Sequence, residues 1–97
     1  MAQVVYSRHA LDHLERAFEF LRRENPAAAL SAVTAIQSAV DNLAAHPLIG
    51  RRLEGELREL IISYGQTGYV ALYRFVISRD EARLLAIRHQ REVGFLP

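Results

Sequence analysis

Five residues in the second half of the chain could do chemistry together: Arg58, Arg74, Arg88, His89 and Arg91. A guanidinium is planar, always charged, and donates in a fork that matches a phosphate or a carboxylate. An imidazole beside it could move a proton near neutral pH. Guanidiniums from neighbouring strands would make an anion site. His89 with Arg74, Arg88 and Arg91 would make a candidate catalytic set for cutting a phosphodiester, the arginines stabilising charge and the histidine acting as acid or base. The alternative is that each arginine pairs with Glu54, Glu56, Glu59, Asp80 or Glu92 at a sheet rim. His9 and His13 stand four apart, which puts both rings on one face of a helix. A third ligand is missing and cysteine is absent, so the expectation is no metal and two exposed or rim histidines. No glycine-rich phosphate loop or nucleophile elbow is present, and no cofactor is expected.

The element that must position these residues runs from Tyr69 to Ile77. It is rich in β-branched and aromatic residues and bracketed by Gly65, Gly68 and Asp80, which predicts a strand. Alternation puts Tyr69, Ala71, Tyr73, Phe75 and Ile77 on one side and Val70, Leu72, Arg74 and Val76 on the other. Both sides are apolar enough for a central strand, with Arg74 as the exception. Leu57–Ser63 and Ala82–His89 read as two further strands joined to it by short links, so an antiparallel meander follows.

Upstream, Gln3–Tyr6 reads as a short first strand and Ser7 as the N-cap of a helix beginning near Arg8. Ala10, Leu11, Leu14, Ala17, Phe18 and Leu21 recur at helical spacing, with Phe20 off the stripe. Asn25 and Pro26 end that helix and start a second one, which runs to about His46 along a seam of Ala29, Val33, Ile36, Val40 and Leu43. Pro47 stops it, and Gly50, Arg51 and Arg52 begin an exposed loop. So short a link folds the helices into an antiparallel hairpin, whose apolar face needs a sheet to cover it. The expected order is β-α-α-β-β-β: an α+β domain over residues 1–97, with the hairpin on one face of a small, mainly antiparallel sheet and the arginines on the other.

Composition narrows the function classes. The 97 residues carry a net charge of +1, too small for bulk electrostatics to announce nucleic acid. No apolar run approaches the ~20 residues of a membrane span, and no signal-like segment precedes a cleavage site, so an unexported, cytoplasmic protein is expected. All twelve basic residues are arginine. High genomic GC content would produce that by itself; a need for bidentate anion recognition would as well.

The order of these features resembles the ParE/RelE superfamily of bacterial toxins. The matching residues are Val5, Tyr6 and Ser7 with Ala10 and Leu14; Asn25 to Ala28; Ile36; Leu43 through His46 and Pro47 to Gly50 and Arg51; Arg58 to Leu60; Gly68 and Tyr69; Leu72 to Arg74; and Leu85 to His89 with Arg91. They span nearly the whole chain. The resemblance implies a helical hairpin on a small antiparallel sheet and one of two activities. RelE-like members cut messenger RNA on the ribosome with residues of the open sheet face; ParE-like members poison DNA gyrase without a hydrolytic site of their own. Both are neutralised by a cognate antitoxin.

Three departures favour the ParE-like, non-enzymatic reading. Many members carry an arginine directly after the tyrosine of the central strand; here that residue is Val70. RNA-cutting relatives often end with a catalytic tyrosine; here the nearest aromatic is Phe95. Several RNA cutters rely on lysines, and this chain has none. His89 keeps the endoribonuclease alternative open, with Arg74, Arg88 and Arg91 as its partners. Under the favoured reading, a ParD-like antitoxin meets Arg58, Arg74 and Arg88, and gyrase meets Arg16, Arg22, Arg23, Arg51, Arg52 or the C-terminal segment. Sequence-specific nucleic-acid binding is not expected, and assembly as a homodimer or as a heterotetramer with antitoxin is.

Overall fold

The computed structural model describes residues 1–65, 67–92 and 94–95. The first strand, β1 (Gln3–Tyr6), leads through Ser7 into α1 (Arg8–Arg22). Ser7 is extended and its hydroxyl accepts the Ala10 N–H at 3.0 Å, satisfying one of the four donors a helix start leaves open. Asn25 does the same for Ala28 at 3.2 Å, with Pro26 at the first position of α2 (Pro26–Asp41). The second helix stops five residues short of His46, tightening into a 3₁₀ turn at Asn42–Ala44. The chain continues through β2 (Arg51–Arg52), β3 (Leu57–Tyr64), β4 (Thr67–Val76) and β5 (Glu81–His89).

The strand order is β1-β5-β4-β3-β2, antiparallel except for β1, which pairs parallel with β5. The fold is therefore α+β with a mixed sheet of five strands, one more than the sequence announces. Arg51 and Arg52, expected in a loop, form a two-residue edge strand against Glu59 and Arg58. Ile77 leaves the central strand for a short 3₁₀ turn and is 80% exposed.

Both helices pack on one face of the sheet. Leu14 from α1 and Ile36, Val40 and Leu43 from the second hairpin arm bury against Ile62, Tyr69, Tyr73, Leu84 and Ile87. Of the seam expected for α2, Ala29, Ile36, Val40 and Leu43 are fully buried, Leu43 from the 3₁₀ turn, while Val33 is half-buried and Ala32 joins the core. On α1 two assignments change: Leu11 is 46% exposed, and His13, expected at the rim, is buried at 5%. The stripe rotates toward His13 because α1 lies along β5, where a buried backbone amide that no strand pairs needs an acceptor.

β5 carries a bulge. Leu84 partners Tyr73 and Ala86 partners Leu72, leaving Leu85 without an opposite residue. Before the bulge the even-numbered residues Ala82 and Leu84 face the helices; after it the odd-numbered Ile87 and His89 do. Unbroken alternation would have driven Arg88 into the core.

Tyr6 has a buried hydroxyl with no hydrogen-bond partner among the described residues. Burial, aided by the negative charge of Asp41, pushes its pKa up to about 12. The folded value lies above the ordinary 10.0, so the neutral phenol's contribution is intact below pH 10 and lost as pH rises toward 12. Tyr6→Phe is expected to melt no lower than wild type at neutral pH. Its stability should also fall less steeply above pH 10, as thermal unfolding across a pH series would record. Part of the alkaline loss should remain, because burial also raises Tyr69 and Tyr73.

Candidate functional site

Residues directly opposite in a sheet share a face, so the register sorts the candidate side chains. Arg74 lies opposite Leu57 on one side and Arg83 on the other, and Arg88 lies opposite Val70. These project from the face away from the helices. Arg74 and Arg88 are four residues apart in register along β4, about 13 Å at a strand's rise. They are not neighbours. The residue beside Arg74 is Arg83, which sequence reasoning passed over; its Nη1 donates to Glu81 Oε2 at 3.0 Å. Two like charges opposite each other repel, and Glu81, 7% exposed, offsets one of them. Arg74 is exposed and makes no ion pair among the described residues. It is the guanidinium on this face left ready for an incoming anion.

Arg88 is occupied. Its Nη1 donates to the carbonyls of Glu92 (2.9 Å), His89 and Gln90 (both 3.3 Å), and its guanidinium sits 5.3 Å from the centre of the Phe95 ring. It straps the end of the chain to the sheet.

Arg58 corrects an expectation. It lies opposite Tyr73, so it shares the helix-side face and not the open one. Its Nη1 donates to the carbonyls of Leu48 (3.0 Å) and Gly50 (2.9 Å). From the other side, the Tyr73 hydroxyl donates to the Pro47 carbonyl at 2.9 Å and accepts the Gly50 N–H at 2.8 Å. These two residues fix the 47–50 turn. The only sequence signal was Arg58 falling in step with the core-facing Leu60 and Ile62.

His89 also faces the helix side, opposite Tyr69, whose ring meets it edge-on with centroids 5.4 Å apart. It opens on a groove of about 640 Å³ walled by Ala17, Phe20, Leu21, Tyr64 and Tyr69, with Arg16, Thr67 and Glu92 at the polar edge. Both ring nitrogens are engaged. Nδ1 accepts the Arg91 N–H at 3.1 Å, which places the proton of the neutral ring on Nε2, 2.5 Å from Thr67 Oγ1. In that tautomer the imidazole donates to Thr67 and cannot take its proton. Arg91 follows in an exposed turn. The expected set of Arg74, Arg88, His89 and Arg91 is thus parted by the sheet: imidazole on one side, Arg74 and Arg88 on the other.

The remaining arginines fall in two places. Arg16, Arg22 and Arg23 lie exposed along α1 and its end, with Arg22 paired to Glu19 at 2.9 Å. Arg51 and Arg52 lie at the far sheet edge, with Arg51 paired to Glu59 at 2.9 Å and Arg52 donating to the Gly55 carbonyl. Of the C-terminal segment, Val93, Leu96 and Pro97 lie outside the described residues. Among the described residues no three His, Asp or Glu side chains are grouped to hold a metal ion, and no helix is long and apolar enough to cross a membrane.

Comparison with known proteins places this geometry. Residues 4–94 match the family described as the ParE toxin of the type II toxin–antitoxin system parDE. Toxin RelE3 of Caulobacter vibrioides is 35% identical over 92 residues, covering 95% of this chain and 98% of that protein. Toxin RelE2 of the same organism is 36% identical over 88 residues, covering 87% and 100%. A structure of a chromosomal ParDE toxin–antitoxin system from P. aeruginosa superposes with a TM-score of 0.75 at 25% identity, covering 92% of this chain and 96% of that one.

Proposed function

The chain belongs to the ParE toxin family of type II toxin–antitoxin systems, and from that premise we propose that it arrests growth by protein–protein contact with DNA gyrase. It is a toxin of the ParE/RelE superfamily, and such a toxin has a cognate antitoxin. The observation that carries the gyrase reading is the separation just described. Cutting RNA needs an acid–base group and a charge stabiliser at one phosphate. Here His89 faces the helix-side groove with both nitrogens engaged, and Arg16 of α1 is the only arginine at that groove's edge among the described lining residues. Arg74, Arg83 and Arg88 lie on the opposite face. Val70, the position at which the family resemblance implies an arginine in many members, is an uncharged side chain only 3% exposed. Contact with the target falls to the exposed arginines, Arg16, Arg22 and Arg23 on the hairpin and Arg51 and Arg52 at the sheet edge, and the cytoplasm is the place of action.

The alternative is a ribosome-dependent endoribonuclease. Two observations favour it: the relatives bear the names RelE3 and RelE2, and His89 opens on a groove large enough for a small ligand. Expression of the chain without antitoxin separates the two. The gyrase reading expects an SOS response, linearised plasmid in a purified supercoiling reaction, intact transcripts, and toxicity kept in His89→Ala. Cleaved transcripts and loss of toxicity in His89→Ala would overturn it.

Arg74 is assigned to the antitoxin. An exposed guanidinium that makes no ion pair among the described residues gives up no internal pair when it meets an incoming carboxylate. Arg74→Glu is expected to weaken antitoxin binding by about tenfold in calorimetry, and an unchanged affinity would remove the residue from that role.

A further inference from the structure

The two sides of the sheet end differently. From Leu84, the last residue paired to β1, onward, three outward groups of β5 are met from within the chain. Ser7 N–H donates to the Leu84 carbonyl at 2.9 Å and Ser7 Oγ to the Leu85 carbonyl at 3.2 Å, while Ile87 N–H donates to His13 Nδ1 at 2.9 Å. On the other side, β2 pairs only with Glu59 and Arg58. Past that point no strand among the described residues lies against the outer side of Leu60, Ile61, Ile62, Ser63 and Tyr64. β3 thus presents a five-residue window, closed at one end by β2 and at the other by the turn at Gly65, whose φ is +59°.

Natural edges are blunted by charge, proline, bulges or brevity. This window has none of these. It is uncharged, β-branched and aromatic, and Ile61 is 59% exposed. We propose that it is the contact surface for a second copy of this chain, the two β3 strands pairing antiparallel about a two-fold axis at Ile62 to join two five-stranded sheets into one. A second copy is favoured by fit. The segment that pairs must be about five residues long, carry no charge and turn away at its end, because β2 blocks further ladder. The chain owns such a segment. Two-fold symmetry then places Leu60 opposite Tyr64 of the second copy, and Ile61 opposite its Ser63. Ile61 and Ser63 both project from the open face, opposite Val70 and Gly68 within their own sheet.

The register makes the test specific. Sedimentation velocity on the purified chain is expected to show a concentration-dependent dimer, with a dissociation constant on the order of tens of micromolar for so small a contact. Ile61→Lys combined with Ser63→Lys puts lysine opposite lysine twice across the seam and should weaken the dimer by roughly tenfold or more. Ile61→Lys combined with Ser63→Glu puts lysine opposite glutamate and should restore it. Both pairs of substitutions are at exposed positions, and circular-dichroism melts check that each variant folds. A wild type that stays monomeric at ten times the expected constant would overturn the proposal, as would a double-lysine variant that dimerises like wild type. So would a monomeric wild type whose antitoxin binding is abolished by the double-lysine pair, because the edge would then belong to a foreign strand.

Discussion

Gly50→Ala is expected to destabilise the protein by about 3 kcal/mol, lowering the melting temperature by roughly 12 °C or more. The backbone angle at Gly50 is ordinary; the space is not. A Cβ there would stand 2.5 Å from Cε1 and 2.6 Å from the hydroxyl oxygen of Tyr73. Tyr73 is fully buried at the centre of the sheet, and its hydroxyl holds both Pro47 and Gly50. The ring cannot retreat without giving up both hydrogen bonds. Tyr73→Phe isolates the second part of that cost: a carbonyl and an N–H lose their partner, for about 2 kcal/mol. The clash predicts a coupling. Gly50→Ala combined with Tyr73→Leu should cost clearly less than the sum of the two singles in denaturant unfolding. Simple additivity would mean that the close approach is not what demands glycine. The functional link is the turn itself, because Tyr73 and Arg58 together set where Leu48, Ile49 and the two arginines of β2 are displayed.

The second large effect is at His13. Its Nδ1 accepts the Ile87 N–H at 2.9 Å in a setting where water cannot substitute, which joins α1 to β5 just past the bulge. His13→Ala leaves that amide unsatisfied and opens a small void, an expected loss of about 3 kcal/mol. His13→Asn puts an amide oxygen where Nδ1 was and should recover about half of it, whereas His13→Leu fills the space without an acceptor and should not. Urea unfolding of the three variants decides between a hydrogen-bonding role and simple packing; equal stability of the Asn and Leu variants would exclude the former. Since the same bond closes the β5 edge, its loss also predicts faster amide exchange at Ile87.

Much of this molecule was legible from periodicity and capping alone. Ser7, Asn25 and Pro26 mark helix starts by local chemistry that does not depend on the rest of the fold, and each does so in the structure. The seam of Ala29, Ile36, Val40 and Leu43, the meander and the two-faced central strand follow from side-chain direction, which repeats every 3.6 or 2 residues. Those are short-range properties, so a single sequence determines them. Three things were not short-range. The bulge at Leu85 reverses which residues of β5 face the helices, and no residue type announces a bulge of that kind. Alternation alone parts Arg88 from His89; the bulge decides that Arg88 takes the open face and His89 the helix side, and it sets Arg83 beside Arg74. The burial of His13 depends on where the unpaired amide of Ile87 falls, a consequence of β1 ending at Tyr6. The inward turn of Arg58 depends on two carbonyls ten and eight residues upstream. Residue types decided that this chain would carry guanidiniums and an imidazole near the end of an α+β domain. Register, which is settled only when strands find their partners, decided that Arg74 and Arg88 would lie on the face away from His89.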